Sequence, residues 1–347
     1  MKKIAKLCSF WMLMTMPIFG FSQYTDVINS NRPGTSFSAY SVGTKVYQGE
    51  FGMSYGHDEH NLFDADVDYF DIEYAFRWGV WREQFEVILN GNYQIDQLTD
   101  RGRTFTRSGP MNTTLGAKYL FYDPQRKRKL EEPNLYSWKA NQGKKFKWKN
   151  LVPALSGYVG ANIRFKGSPF VYGSNFNFFN ENEADISGKI MLITQSHITA
   201  DWVFVTNFIY DRIGTDFTST QYIFTLTHAF NIKWAAFVEN QGISSDFYSD
   251  NIVRFGGAYL LNSNLQFDAS FNFNTKDTPS RTFGGIGVSY RMDYHESKWE
   301  LVDDGKKLPK NELEQPKKKK GWPILRWFKK RDKNVPPPDE EFDENEN

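Results

Sequence analysis

Histidine and acidic side chains near the start of the chain have the residue types that bind metal ions. His57 and His60 flank two acids, and Asp64 and Asp66 follow closely. Imidazole nitrogens suit zinc and carboxylate oxygens suit calcium. The cluster falls between two predicted strands, where acidic residues commonly form a solvated turn. We expect an ordinary outward loop here, with a surface site for a divalent cation as the alternative.

At two places a serine or threonine directly precedes a histidine, and these residue types can take part in nucleophilic catalysis. Ser196 precedes His197, and Thr227 precedes His228. Adjacent residues of a strand point to opposite faces, so neither pair can form a dyad on its own. The chain also contains no G-x-S-x-G nucleophile motif and no glycine-rich phosphate loop. We therefore predict that the protein is not an enzyme and has no cofactor, metal or nucleic-acid site.

Ionisable side chains recur at every second position along many apolar stretches. This period of two predicts strands with one polar and one apolar face. Both signs of charge occur on the polar face, which predicts cross-strand ion pairs. The predicted inward set is Glu50, Asp71, Glu73, Arg77, Glu86, Lys118, Arg164, Lys189, Glu239, Arg254, Asp268, Arg291 and Asp293.

The last hairpin, at 264–293, shows this pattern most clearly. Phe267 and Phe271 alternate with Asp268, and Ile286 in the second arm lies on the same face as the phenylalanines. A charge on a lipid-facing surface costs about 2–4 kcal/mol near the membrane midplane. The charged face must therefore point inward. Asp268, Arg291, Arg254 and Asp293 are predicted to share one network there.

Composition and the N-terminal residues predict the compartment. Lysines precede an apolar stretch in residues 1–22, and Gly20 and Ser22 suit cleavage before Gln23, as in a secretory signal peptide. The single cysteine, Cys8, lies within this peptide, and aromatic residues make up 17% of the chain. No later stretch is apolar and long enough for a membrane helix. This combination is typical of an outer-membrane β-barrel.

The predicted fold class is all-β, a transmembrane antiparallel barrel of about 12 strands with a disordered or partly helical tail. An even strand number closes the sheet and removes its edges. Short connections on one side and longer ones on the other place both termini in the periplasm. The basic connection at 123–150 breaks this rule. The strands are predicted at 44–56, 66–78, 81–94, 109–122, 151–166, 185–195, 200–212, 218–229, 231–240, 250–260, 264–274 and 282–293.

Three further segments carry expectations of their own. Residues 23–43 form a periplasmic or lumen segment, in which Arg32 is predicted to fold into the barrel and pair with Glu50 or Asp71. The aromatic loop at 167–183 is expected to cover the barrel mouth, with an exposed binding patch as the alternative. The tail at 294–347 is charged and periplasmic, and its basic, tryptophan-containing part at 317–333 could lie on anionic lipid or remain solvated.

Several short motifs within 31–293 resemble one family of outer-membrane barrels. They are Asn31-Arg32-Pro33-Gly34, Gln48-Gly49-Glu50 and the closing run from Gly287 to Asp293. The sequence is similar to the transporter family named for the meta pathway of phenol degradation. That family usually has Asp where this chain has Asn31, and the 123–150 insertion and the long tail also differ. The resemblance implies a barrel that passes small or hydrophobic solutes.

We therefore predict an integral outer-membrane, porin-like pore or transporter of a Gram-negative cell. Its solutes are expected to be small, with hydrophobic or aromatic molecules among them. The alternative is a structural or interaction barrel that docks a periplasmic protein through the basic 123–150 loop and the tail. The expected partners are outer-membrane lipid, a small-molecule solute and, through the tail, a periplasmic protein. The pattern of residues identifies neither the solute nor the open or plugged state of the lumen.

Overall fold

The computed structural model describes residues 27–124, 148–170, 174–176, 184–246 and 248–295. The predicted signal peptide, most of the 123–150 connection and nearly all of the charged tail lie outside the described residues. Every described residue belongs to one compact unit of the chain.

The described residues form a closed barrel of twelve antiparallel strands, each paired with its neighbours in sequence. β1 and β12 close the sheet, from Val46 opposite Asp293 to Glu59 opposite Ser280. The predicted fold class is thus confirmed. The strands are β1 (Val46–His60), β2 (Ala65–Gly79), β3 (Phe85–Asp100), β4 (Arg103–Tyr122), β5 (Ala154–Ile163), β6 (Ile186–His197), β7 (Trp202–Ile213), β8 (Ser219–Ala229), β9 (Trp234–Ser245), β10 (Ser249–Asn262), β11 (Leu265–Asn274) and β12 (Ser280–Asp293).

The two faces of the sheet differ in chemistry because side chains alternate along each strand. In β1, Gln48 and Glu50 are buried inside the barrel, whereas Phe51 and Met53 are exposed on its outer surface. Large apolar side chains cover the outside of the other strands in the same way, as a hydrocarbon layer requires. Among the described residues, none of the helical segments has the length and apolarity to cross a membrane.

The two ends of the barrel are defined by the chain termini. We call the end where β1 begins and β12 ends the near end, and the opposite end the far end. Trp78, Trp202 and Trp234 are exposed at the near end. A belt of amphipathic aromatic rings of this kind is typical of a membrane–water interface.

The far-end connections are shorter than predicted, because the strands extend beyond their predicted ends. Arg101 and Gly102 alone join β3 to β4, and both have positive φ, at 48° and 76°. Positive φ at both central residues is the geometry of a tight hairpin turn whose twist matches the strands. The prediction of longer loops at this end is therefore wrong for most connections. The β5–β6 connection, at 164–185, remains long.

Candidate functional site in the barrel interior

The segment before β1 runs through the near-end half of the barrel. Ile28 N donates to Ser263 O in the β10–β11 turn at 2.8 Å, and Lys45 N donates to Gly79 O at 3.1 Å. Both ends of the segment are thereby fixed at the near end. Residues 28–45 are called the N-terminal segment below. Most of them lie inside the barrel, where Arg32 was predicted, and Lys45 is exposed at the near end.

The N-terminal segment has no strand partner, so wall side chains satisfy its backbone groups. Glu239 accepts hydrogen bonds from Thr35 N at 3.1 Å and from Ser36 N at 3.2 Å. Asn207 accepts from Phe37 N at 2.6 Å and donates to Phe37 O at 3.0 Å. Buried backbone groups need such partners. The segment is therefore held by side chains and not as a thirteenth strand.

The side chain of Arg32 lies between two carboxylates, one from β2 and one from β11. Its guanidinium pairs with Glu73 and lies 3.3 Å from an oxygen of Asp268. Burial opposes the positive charge of Arg32, but these two carboxylates outweigh it and raise its pKa. The predicted partners, Glu50 and Asp71, are therefore corrected to Glu73 and Asp268.

A buried group of alternating charges anchors the segment at the near end. Arg77 pairs with Glu86 at 3.0 Å and with Glu50 at 3.4 Å, and Lys118 pairs with Glu86 at 2.7 Å. Lys118 also donates to Ser38 O of the segment at 2.6 Å. These four charged side chains are almost completely buried. Removing one partner of such a group leaves an uncompensated buried charge, which costs about 3–5 kcal/mol.

The predicted inward residues lie mostly inside the barrel, with exceptions near the strand ends. Glu73, Lys189 and Arg32 are partly buried, and Arg164 follows the end of β5, where its N donates to Asp185 O. Asp293 is exposed at the end of β12. The buried members are Glu50, Asp71, Arg77, Glu86, Lys118, Glu239, Arg254, Asp268 and Arg291.

Of the four charges predicted to share one network, Arg291 and Asp293 pair with each other, whereas Asp268 and Arg254 have other partners. Asp268 faces Arg32, as described above. Arg254 pairs with Glu239 at 3.3 Å, and Arg291 pairs with Asp293 two residues away at 3.5 Å. Alternation predicts the face on which a charge lies. It does not predict how deep in the barrel the N-terminal segment lies. Here Arg32 of this segment pairs with Asp268, one of the four charges.

An apolar sector on the inner wall was missed by sequence analysis. Met191 and Ile193 of β6, Ile209 of β7 and Ile223 of β8 are buried in one cluster with Tyr158 of β5. The outer faces of these strands are also apolar. Their sequence therefore shows no alternation of polar and apolar residues that would identify the inner face. The ring of Phe37 packs edge-on against Tyr158 at 5.6 Å between centroids, so the N-terminal segment covers part of this sector.

The histidine–acid cluster lies mostly on β1 and β2, with Asp64 in the turn between them, which corrects the expectation of a loop. His57 points outward and approaches Asp68 Oδ1 through Nδ1 at 2.8 Å, whereas Asp58 points inward and pairs with Arg281 at 3.0 Å. Alternation along β1 thus separates residues that are adjacent in sequence. Among the described residues, no group of three or more His, Cys, Asp or Glu side chains is arranged to hold a metal.

The described part of the β5–β6 connection folds into the far end of the barrel. Phe170 is buried, and Arg107 lies 5.3 Å from the centre of its ring. Asn175 donates to Asp58 Oδ2 at 2.6 Å and accepts from Gln94 Nε2 at 2.9 Å. These contacts favour a cover over the mouth rather than an exposed aromatic patch. Several aromatic residues of the loop lie outside the described residues.

Ser196 and His228, from the two places where a hydroxyl residue precedes a histidine, contact other parts of the barrel. Ser196 Oγ donates to Leu151 O at 3.1 Å, and the ring of His228 stacks on Trp202 at 4.3 Å between centroids. Ser196 is thus engaged with a backbone carbonyl. The described interior contains ion pairs, amides and an apolar sector.

Residues 30–292, which include Arg32 and almost all of the barrel, match the sequence model of the family described as "Putative MetA-pathway of phenol degradation". The chain belongs to this family. The match to the phenol-degradation family begins at Ser30 and ends at Met292, so it covers the N-terminal segment except its first two residues, and all of β12 except its last. The resemblance drawn from the short motifs is confirmed. Among curated protein sequences no relative was found.

Solved structures similar to this member of the phenol-degradation family include membrane barrels. An outer membrane channel from Pseudomonas putida F1 is 9% identical, with a TM-score of 0.46, covering 76% of this chain and 100% of that one. The beta domain of the Bordetella autotransporter BrkA is 11% identical, with a TM-score of 0.42, covering 72% and 100%. The deltaS2S3 mutant of the TodX monoaromatic hydrocarbon channel is 8% identical, with a TM-score of 0.38, covering 72% and 90%.

Proposed function

We propose that this protein is an outer-membrane channel for small solutes and that its N-terminal segment closes the lumen at rest. The observation that carries the proposal is how this segment is held. Side chains such as Glu239 and Asn207 bind its backbone, and no ladder of strand hydrogen bonds fixes it. Such a segment can leave the wall without breaking the barrel.

The solutes are small and largely apolar, with aromatic molecules among them. Two observations support this class. The sector formed by Met191, Ile209 and Ile223 gives the lumen an apolar surface beside its charged one. The family to which the chain belongs is described by phenol degradation. A pocket with apolar walls and a few polar groups is the usual form of a site for such molecules.

The proposed orientation places the near end and both termini in the periplasm. The exposed apolar outer face then contacts outer-membrane lipid, and the β5–β6 connection faces the outside of the cell. Docking of a periplasmic protein through the 123–150 loop and the tail stays a prediction from sequence, because these residues lie mostly outside the described ones.

Planar-bilayer recording tests the channel and its closure. The intact protein is expected to give small currents, and deletion of residues 24–36 is expected to raise the mean conductance several-fold. Slower migration on a gel after boiling than before shows that the deletion protein still forms a barrel. An unchanged current in a folded deletion protein, or cleavage of the segment by protease in the intact barrel, would contradict the closure.

The apolar solute class is tested on the deletion protein. Phenol is expected to reduce its ionic current in a saturable way, and glucose at the same concentration is expected to do so less. Ile209→Asn with Ile223→Asn replaces apolar wall by amide and is expected to weaken the effect of phenol. Equal effects of phenol on both proteins would remove the apolar sector from the solute path.

A further inference from the structure

The place that Arg32 occupies has the features of a site for a cation. Three carboxylates surround one guanidinium, because Glu73 and Asp268 face Arg32 and Asp71 lies next to Glu73 on the same side of β2. Asp71 accepts two contacts from Asn92 Nδ2, at 3.0 and 2.9 Å. Arg32 is thus the cation at the centre of an acidic wall.

Other charged side chains inside the barrel do not offset the excess of carboxylates around Arg32. Glu50 is engaged with Arg77 at 3.4 Å, and Arg254 is engaged with Glu239 at 3.3 Å. Glu50 and Arg254 are thus each engaged with an opposite charge away from Arg32. The wall at Arg32 therefore carries more negative than positive charge.

Two glycines shape the floor of the site. Gly52 of β1 lies opposite Gly287 of β12 in the sheet register. A Cβ atom at either position would overlap the guanidinium of Arg32. The pair therefore leaves a flat space that suits a planar guanidinium in particular.

Arg32 does not saturate the site. The completely buried side chain of Asp268 forms an ion pair with Arg32 at 3.3 Å, but neither carboxylate oxygen accepts a hydrogen bond of good geometry. A buried carboxylate without hydrogen bonds is costly, so a better-fitting donor would be favoured there. The side chain of Glu73 is 42% exposed, so water in the lumen reaches the site.

We propose that Glu73, Asp268 and Asp71, above the floor of Gly52 and Gly287, bind the guanidinium or primary ammonium group of a small solute. Arg32 is a tethered occupant of this site at rest. A cationic solute takes its place, and the N-terminal segment then loses its contact with this wall. The lumen thus accepts molecules that combine an apolar body with one positive group. This solute class rests on the proposed channel, whereas the site itself does not.

The binding test uses the barrel in detergent, with methylguanidinium as the probe. In Arg32→Ala the site is vacated, and methylguanidinium at millimolar concentration is expected to raise the unfolding temperature in a saturable way. Sodium at the same ionic strength is the control for screening. The intact protein is expected to respond less because Arg32 holds the site. Arg32→Ala with Asp268→Asn is expected to lose the response.

Matched variants keep the result interpretable. Arg101→Ala removes an arginine whose side chain is 78% exposed in the β3–β4 turn, and it is expected to behave as the intact protein does. If Arg32→Ala does not fold, Arg32→Gln removes the charge and keeps most of the side-chain length. An equal response with and without Asp268, or no saturable response in either Arg32 variant, would overturn the site.

Current recording separates this proposal from the channel itself. Methylguanidinium is expected to reduce the raised current of Arg32→Ala by occupying the lumen. A saturable rise in unfolding temperature, with no current in any variant, would support the site and contradict the channel. A raised current that methylguanidinium does not affect, together with an unchanged unfolding temperature, would support the channel and contradict the site.

Discussion

At the residue scale, the barrel interior depends on ionisable side chains that have little or no access to water. Lys118 illustrates this, because it neutralises Glu86 and also binds two carbonyls of the N-terminal segment, those of Ser38 and Tyr40. A single lysine therefore links the wall to the segment. Its loss affects both stability and closure.

Lys118→Met is expected to lower the free energy of unfolding by about 3–5 kcal/mol, because it leaves buried acceptors without their donor. Urea unfolding in lipid vesicles measures this loss. Lys166→Met is the control, since the side chain of Lys166 is 88% exposed and its removal is expected to change little. Equal losses in the two variants would show that the buried group does not stabilise the barrel.

Gly52→Ala tests the position of Arg32 without changing any charge. The added methyl group would overlap the guanidinium, so Arg32 is expected to leave the wall and the conductance to rise. Gly49→Ala in the same strand is the matched control. Its Cβ would lie 3.4 Å from the ring of Phe51, an ordinary contact on the outer face. A rise in conductance in both variants, or in neither, would argue against Arg32 as the closing contact.

At the element scale, the closing hairpin of β11 and β12 shows which structural features the alternation of side chains determines. Phe271 and Ile286 are exposed on the outer surface, and Asp268 and Arg291 are buried inside, as the pattern predicts for each face. The partners of these charges could not be predicted from the pattern. Asp268 faces an arginine more than two hundred residues away, whose position depends on the path of a segment without strand periodicity.

Because the two faces of this hairpin differ, three substitutions on them are expected to have effects of different size. Phe271→Lys places a charge in lipid and is expected to cost about 2–4 kcal/mol if it lies near the midplane. Arg291→Leu is expected to alter stability or ion selectivity, and Ile286→Val to do little. Urea unfolding and reversal potentials in a salt gradient measure these effects. Better tolerance of Phe271→Lys than of Arg291→Leu would reverse the assignment of the two faces.

At the scale of the whole molecule, strand number and barrel closure could be predicted because most strands repeat the same polar–apolar pattern. The far-end turns could not, since a turn such as Arg101–Gly102 is polar like the strand ends beside it. The apolar sector on β5–β8 could not either, because inward and outward apolar residues give the same sequence signal. The candidate site was predicted only in part, through Arg32 and the inward acids.

The barrel as a whole is expected to remain in the outer membrane during extraction with high salt or carbonate. Its backbone groups are satisfied within the closed sheet, and its outer face contacts lipid, so neither treatment removes the forces that hold it. Unheated protein is expected to migrate faster on a gel than boiled protein. Release by carbonate would contradict an integral barrel.

The route of the N-terminal segment also has a consequence for the order of assembly. The segment comes first in the chain, yet it binds Glu239 of β9, Asp268 of β11 and Ser289 of β12, which are synthesised late. Its docking surface does not exist until nearly all of the strands are in place. Had it formed a strand, it would have competed with β1 for the free edge of β12 and stopped closure. Because the segment binds through side chains, β1 and β12 can pair first and the segment can dock afterwards.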